Sequence, residues 1–165
     1  MKKKIIVIGS PGSGKSYFSK RLHELTGIPL YHIDNLYWHA DRTHITREEL
    51  RERFVEIMKQ PEWIIDSNYI STMEQRIQGC ETIFYLDFST KQCIEGIKSR
   101  VGKKRDDIPW VEEMLDEEFL QFVERFEQET KPLVEELLER YREKEMIRFG
   151  TRAETRFFVQ KLKEK

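Results

Sequence analysis

Eight consecutive residues near the start of the chain have the types and spacing to hold a phosphate chain. Gly9, Ser10, Pro11, Gly12, Ser13, Gly14, Lys15 and Ser16 read Gly-x-x-x-x-Gly-Lys-Ser without a mismatch. They follow the apolar run Ile5, Ile6, Val7, Ile8 and precede a helical pattern, which is the setting this motif requires. Glycines let the backbone curl so that its N–H groups point at phosphate oxygens, and the helix that follows adds its positive end. Lys15 is expected to reach the β- and γ-phosphates, and the Ser16 hydroxyl to ligate Mg²⁺. An ordinary Gly-rich turn would not need the Lys-Ser pair in that register. The segment therefore predicts binding of ATP or another nucleoside triphosphate with Mg²⁺.

Three carboxylates are placed to join this loop. Asp34 ends the second predicted strand, Asp66 the third and Asp87 the fourth, and in an open parallel sheet chemistry gathers at that edge. Asp66, closing the run Trp63-Ile64-Ile65, stands where a Walker-B acid holds Mg²⁺ directly or through water, with a loop cap as the other reading. Asp87 reads as a cap for the Ser89–Thr90 turn and is left outside the site. The segment Arg100 to Pro109, RVGKKRDDIP, the core of a lid at about 100–110, gathers Arg100, Lys103, Lys104 and Arg105 with no apolar periodicity. Its place after a predicted helix suits a basic lid in which Arg100 and Arg105 face phosphates, since guanidinium forks match phosphoryl oxygens. Arg125, on the next helix, reads as solvated. His32 reads as a satisfied, partly buried histidine, and the four histidines show no ligand spacing.

The elements that must carry these residues follow from the pattern. Lys15 to Thr26 shows a helix face at Phe18, Leu22 and Leu25 that stops at Gly27. Residues 29–33 form a second strand, followed by a polar loop at 39–45. Thr46 and Glu49 make a capping box for a helix bearing Leu50, Phe54, Ile57 and Met58 that ends before Pro61. Trp63 to Asp66 is the third strand, with a short helix at 72–78, and Thr82 to Asp87 the fourth. Residues 90–101 are helical with Cys93, Ile94 and Ile97 inward. A long helical region, 111–141, divides at Pro132 and turns Met114, Leu115, Phe119, Phe122, Val123 and Phe126 inward. Met146 to Phe149 is the fifth strand. Thr151 and Glu154 cap a last helix that buries Phe157, Phe158 and Leu162. Strands alternating with helices at this spacing mean an α/β fold with a parallel sheet.

Composition narrows the functions. The 165 residues suit one domain, spanning 1–165. With 29 basic and 30 acidic residues the net charge is −1, so no global field would hold a nucleic acid. Cys80 and Cys93 lack metal spacing and read as reduced packing residues of a cytoplasmic protein. Four apolar residues before Gly9 are too few for a signal peptide's core, and no run approaches membrane length. No Asn-Lys-x-Asp segment occurs, which argues against a GTPase.

With its P-loop, WIIDSNY, TIFYLD and basic segment in this order, the chain resembles the adenylate-kinase-like branch of P-loop kinases. The series GSPGSGKS, YHIDNLYW, EWIIDSNY, FYLDFS and RVGKKRDD looks more closely like the small bacterial proteins labelled DNA topology modulation proteins of the FlaR type. Related chains tend to have Gly where this one has Ser67. The resemblance implies a three-layer P-loop NTPase fold with a five-stranded parallel sheet in order 2-3-1-4-5. It also implies ATP and Mg²⁺ at Gly9 to Ser16 with Asp66 assisting, and phosphate-facing Arg100 and Arg105. IDNLYW further resembles the Asp-x-Phe-Tyr segment of uridine-kinase-like enzymes, whose Asp acts as a base toward a hydroxyl. The expected activity is ATP-dependent phosphoryl transfer, with Lys15, Asp34, Arg100 and Arg105 catalytic, to a small acceptor against Asp34, Tyr37, Trp38 and Tyr69. The alternative is a nucleotide-dependent DNA-binding regulator with little turnover.

Overall fold

The computed structural model describes residues 2–164, and its centre is the apolar run that precedes the glycine loop. The first strand, β1 (Lys4–Gly9), pairs in parallel with β3 (Trp63–Asp66) on one side and β4 (Thr82–Leu86) on the other. Beyond them lie β2 (Leu30–His32) and β5 (Glu145–Phe149), giving the order β2-β3-β1-β4-β5. This is the order implied by the resemblance.

A strand buried on both faces needs apolar residues at every position, and β1 has them. Ile6 and Ile8 enter one core with Ile65, Trp63, Ile83 and Ile77, whereas Ile5 and Val7 enter the other with Phe18, Leu22, Phe84 and Ile97. The helices that cover the faces are α1 (Lys15–Thr26), α2 (Ile33–Tyr37), α3 (Arg47–Met58), α4 (Met73–Gly79), α5 (Thr90–Arg100), α6 (Glu117–Glu129), α7 (Lys131–Arg140) and α8 (Arg152–Lys163). Both predicted capping boxes form: Thr46 with Glu49 opens α3, and Thr151 with Glu154 opens α8. Gly27 closes α1 in the left-handed region, donating its N–H to the His23 carbonyl. α3 ends at Met58, before Pro61.

Four expectations need correction. Asp34 does not end a strand, because β2 stops at His32 and Asp34 lies in the first turn of α2. An Asp early in a helix complements the free N–H groups there, a signal that competes with a strand-end reading. Residues 101–116 are irregular, and α6 starts only at Glu117, capped by the Asp116 side chain. Met114 is therefore 82% exposed and Leu115 also faces out, since helical periodicity does not apply to them. Phe122 is half-exposed within α6, while Val123 and Phe126 are buried. In α8, Phe158 and Leu162 pack partly on the core, but Phe157 is 63% exposed beneath the Lys161 ammonium. Asp87, finally, caps nothing. It is held by Lys131 and Arg148, and Ser89 caps α5 instead.

The glycine loop is set by close packing as well as by backbone freedom. Gly12 and Gly14 have φ of 82° and 91°, where a side chain is strained. Behind the loop, Gly96 of α5 abuts the Gly12 carbonyl so closely that a Cβ would overlap it. Arg152 of α8 fixes the same stretch, donating to the carbonyls of Gly12 (2.9 Å), Ser13 (3.3 Å) and Gln92 (3.1 Å). In a free helix Gly→Ala gains about 1 kcal/mol, but here overpacking reverses the sign. Gly96→Ala is expected to destabilise by about 1–3 kcal/mol. At this chain length that lowers the melting temperature by roughly 2–12 °C. Thermal unfolding followed by circular dichroism checks it, and an unchanged or higher midpoint would show that the loop and α5 are not in firm contact.

Candidate active site

The loop, the ends of β2 and β3, and residues 101–116 enclose a cleft of about 830 Å³. Its floor is the glycine loop. Lys15, the first residue of α1, is buried and donates its ammonium to the Ser10 carbonyl at 3.2 Å. Burial pulls its pKa down, and the nearby charges of Asp66 and Asp34 push it back up. Ser16 follows. Its Oγ lies 2.7 Å from Asp66 Oδ2 and 2.9 Å from Asp107 Oδ2. A hydroxyl carries one proton and can satisfy only one of these oxygens.

Asp66 is buried at the end of β3, in register with Val7 of β1 and His32 of β2. It accepts a second hydrogen bond from His32, whose Nδ1 is 2.9 Å away. Burial lowers the His32 pKa, but that bond and the Asp66 charge outweigh it, so the pKa is raised above the usual histidine value. His32 is satisfied, as expected of a partly buried histidine, yet the group that satisfies it belongs to the cleft.

Asp34 lines the same cleft from α2 and accepts a hydrogen bond from the Tyr69 hydroxyl at 2.8 Å. Burial raises its pKa, the Tyr69 bond lowers it, and the charges of Asp66 and Asp107 raise it further, leaving it above the usual carboxylate range. Tyr69 is pushed up by burial and by the Asp34 charge, so its hydroxyl stays a donor. Trp38 also lines the cleft. Tyr37 does not: it stacks on His44 with centroids 4.7 Å apart and supports Tyr69 edge-on from behind.

The basic segment covers the cleft with its two arginines already paired. Arg105 forks onto Asp107, through Nε at 2.9 Å and a terminal nitrogen at 2.5 Å, and reaches Glu112 at 3.1 Å. Arg100 Nε lies 3.3 Å from the same Glu112 oxygen. Burial drives the Arg105 pKa down, but Asp107, Glu112 and Asp34 together leave it raised, whereas burial lowers that of Arg100. Asp106 pairs with Lys20 and its carbonyl accepts from Asn35, and Trp110 meets Trp38 edge-on at 5.8 Å with Arg42 over its ring. Lys104 lines the cleft, and Arg125 lies outside it beside Glu129.

The sequence reading thus assembles Lys15, Ser16, Asp34, Asp66, Tyr69, Trp38, Arg100 and Arg105 around one cavity. It missed Asp107, Glu112 and Arg152. Asp107 carried a usable signal, because an acid in an otherwise basic lid must find a cation, and Arg105 is two residues away. Glu112 and Arg152 carried none. Among the described residues, no group of three or more His, Cys, Asp or Glu side chains has the geometry to hold a metal by itself. A metal at Ser16 would take most of its ligands from phosphates and water.

No family model matches the chain. An adenylate kinase of Thermotoga petrophila is 34% identical over 85 residues, covering 50% of this chain and 38% of that protein. One from Thermotoga neapolitana is 33% identical over the same length. The matched region therefore spans well under half of these relatives. Among solved structures, deoxyadenosine kinase from M. mycoides with bound dATP superposes with a TM-score of 0.57 over 98% of this chain and 99% of that one, at 16% identity. Shikimate kinase from Acinetobacter baumannii in complex with shikimate gives 0.59 over 99% and 92%, also at 16% identity. The chain has the P-loop kinase fold: an all-parallel sheet with helices on both faces.

The His32–Asp66 pair makes stability depend on pH with a definite sign. A histidine whose folded pKa is raised contributes stability that is full below its unfolded value of 6.5 and is lost as pH rises through the folded value. The melting temperature of the wild type should therefore exceed that of His32→Asn most at about pH 5.5, and the gap should narrow by about pH 8.5. Paired melts across this range check it. A gap that widens with pH would mean that His32 is neutral when bound to Asp66.

Proposed function

We propose that the protein transfers the γ-phosphoryl group of ATP, bound with Mg²⁺ at Gly9 to Ser16, to a hydroxyl on a small acceptor held beside Asp34. The observation that carries this reading is the gathering, in one cleft, of a glycine-loop lysine, a serine hydroxyl between two carboxylates, and a carboxylate steadied by a tyrosine. The residues fit the group they would hold. The Ser16 hydroxyl leaves one carboxylate oxygen in excess, which suits a divalent cation, and the positive-φ glycines Gly12 and Gly14 put no side chain between the backbone and the cleft at those positions.

Ser16, with Asp66 and Asp107 through water, would hold the metal, which when bound supplies charge neutralisation to the phosphates. Lys15 would exchange the Ser10 carbonyl for a phosphate oxygen. Arg105 and Arg100 would exchange Glu112 for phosphoryl oxygens, donating where charge develops. Asp34 would accept the proton of the acceptor hydroxyl as its oxygen bonds to phosphorus. Its raised pKa makes it a better base than an ordinary surface carboxylate. A phosphate acceptor would bring more negative charge to a place that already holds Asp34, Asp66 and Asp107. Trp38 supplies a flat apolar wall for the acceptor.

The likeness to nucleoside, nucleotide and shikimate kinases supports phosphoryl transfer in general, and we extend it to a single catalytic unit spanning this chain. The resemblance to the DNA topology modulation proteins is compatible with that activity. The DNA-regulator alternative gains little from charge, since Arg100 and Arg105 already sit on acids.

The test is an acceptor screen with nucleosides, sugars and other polyols, and nucleotides, counting ADP formed from ATP and Mg²⁺. At least one hydroxyl acceptor should stimulate turnover about tenfold, because a filled site completes the closed state. Lys15→Ala should abolish turnover in a folded protein. Asp34→Asn should keep ATP affinity within about threefold and lower the acceptor-dependent rate by roughly a hundredfold. A flat response across all acceptor classes, or a fully active Asp34→Asn, would overturn the reading.

A further inference from the structure

Arg76, on α4, is 0% exposed, and none of the ion pairs among the described residues includes it. A guanidinium out of water costs several kcal/mol unless a carboxylate or a full set of acceptors receives it. Here one terminal nitrogen donates to the Ser67 carbonyl at 3.2 Å and the other to the Tyr69 carbonyl at 2.7 Å. Nε has no partner, and the Phe54 ring lies under the group at 5.9 Å. Burial lowers its pKa to about 10, with the Asp66 charge acting in the opposite direction, so it remains a cation at neutral pH.

A core residue chosen for packing alone would not be an arginine. Two backbone carbonyls can be satisfied by neutral donors, without a charge to desolvate. What distinguishes this position is what the two carbonyls belong to. They bracket Asn68 in the short link between Asp66, at the end of β3, and the 3-10 turn Ile70–Thr72. The Tyr69 carbonyl also receives Thr72, through its N–H at 3.3 Å and its hydroxyl at 3.4 Å, while the hydroxyl of the same Tyr69 holds Asp34 at 2.8 Å. A rigid fork of fixed width across Ser67 and Tyr69 therefore sets where the Tyr69 side chain starts, and so where Asp34 is held. Lysine, a point donor on a flexible stem, cannot span both.

We propose that Arg76 is the positioning residue for the acceptor side of the site: from the core, its fork on the Ser67 and Tyr69 carbonyls places the Tyr69 hydroxyl on Asp34. Its charge also interacts favourably with Asp66, one of the three carboxylates that face the cleft. The kinetic consequence rests on the phosphoryl-transfer reading above. The structural consequence does not, which lets the two fail separately.

The experiment compares wild type, Arg76→Lys, Tyr69→Phe and the double variant. Arg76→Lys should fold by circular dichroism and bind ATP within about threefold of wild type, because Lys15 and Ser16 are carried by β1 and α1. Amide exchange should accelerate about tenfold or more at Tyr69 and Thr72 but not in β1 or β4. The carbon-13 carboxyl titration of Asp34 should move further above the ordinary carboxylate value, because the Tyr69 bond that lowers it is loosened. With an acceptor, kcat should fall roughly 30- to 100-fold, since small misplacements of a reacting group have effects of this size. In the Tyr69→Phe background, Arg76→Lys should change kcat less than about threefold, because the hydroxyl it places is gone. A lower melting temperature with unchanged Asp34 titration, or full additivity in the double variant, would reduce Arg76 to a structural residue and overturn the proposal. Should Arg76→Lys not fold, Arg76→Gln keeps one donor for the Tyr69 carbonyl and serves the same comparison, and failure of both to fold overturns it too. If no acceptor is found, exchange and the Asp34 titration still decide the point.

Discussion

Three carboxylates crowd one end of the sheet, and much of the site is arranged around the need to keep them there. Asp34, Asp66 and Asp107 all face the cleft, two of them within reach of a single serine hydroxyl. Like charges gathered in a partly dry place repel unless cations or donors are interleaved. Each acid has its own: His32 for Asp66, Tyr69 for Asp34, and the Arg105 fork for Asp107. Lys15 stands among them and Arg76 lies on the core side of Asp66. The result is a cluster of acids interleaved with cations beside the glycine loop, a charge pattern that suits a phosphate chain arriving with a divalent metal.

The parallel order of the sheet makes this gathering possible. Parallel pairing puts the C-terminal ends of β1, β2 and β3 side by side, with Val7, His32 and Asp66 in one register row. Residues far apart in sequence then meet without any long-range search by side chains. The glycine loop leaves the same edge, and α5 and α8 brace it from behind through Gly96 and Arg152.

Much of this was legible in the sequence because it is written in short-range rules. The β1 run, the glycine loop, both Thr-Glu capping boxes and the Gly27 stop depend on residues within a few positions of one another. Asp66 was placed by the apolar strand before it. The misreadings fall where distant packing decides. Met114 and Leu115 look like a helix face, but 101–116 is drawn across the cleft by Asp106, Asp107 and Trp110, and this overrides local periodicity. Arg76 carries no local signal of its burial, which comes from the link between Ser67 and Tyr69. Glu112 and Arg152 act through contacts 7 to 140 residues away in sequence, beyond any local pattern.

The meeting of Trp38 and Trp110 has an optical consequence. The third tryptophan, Trp63, is sealed in the core and reports a constant background, whereas these two indoles touch across the seam between residues 101–116 and α2, with a guanidinium against one of them. Any separation of that segment from α2 must part the rings and change the polarity around both. The chain therefore carries its own fluorescent gauge of whether the cleft is covered, with no dye attached and no residue replaced.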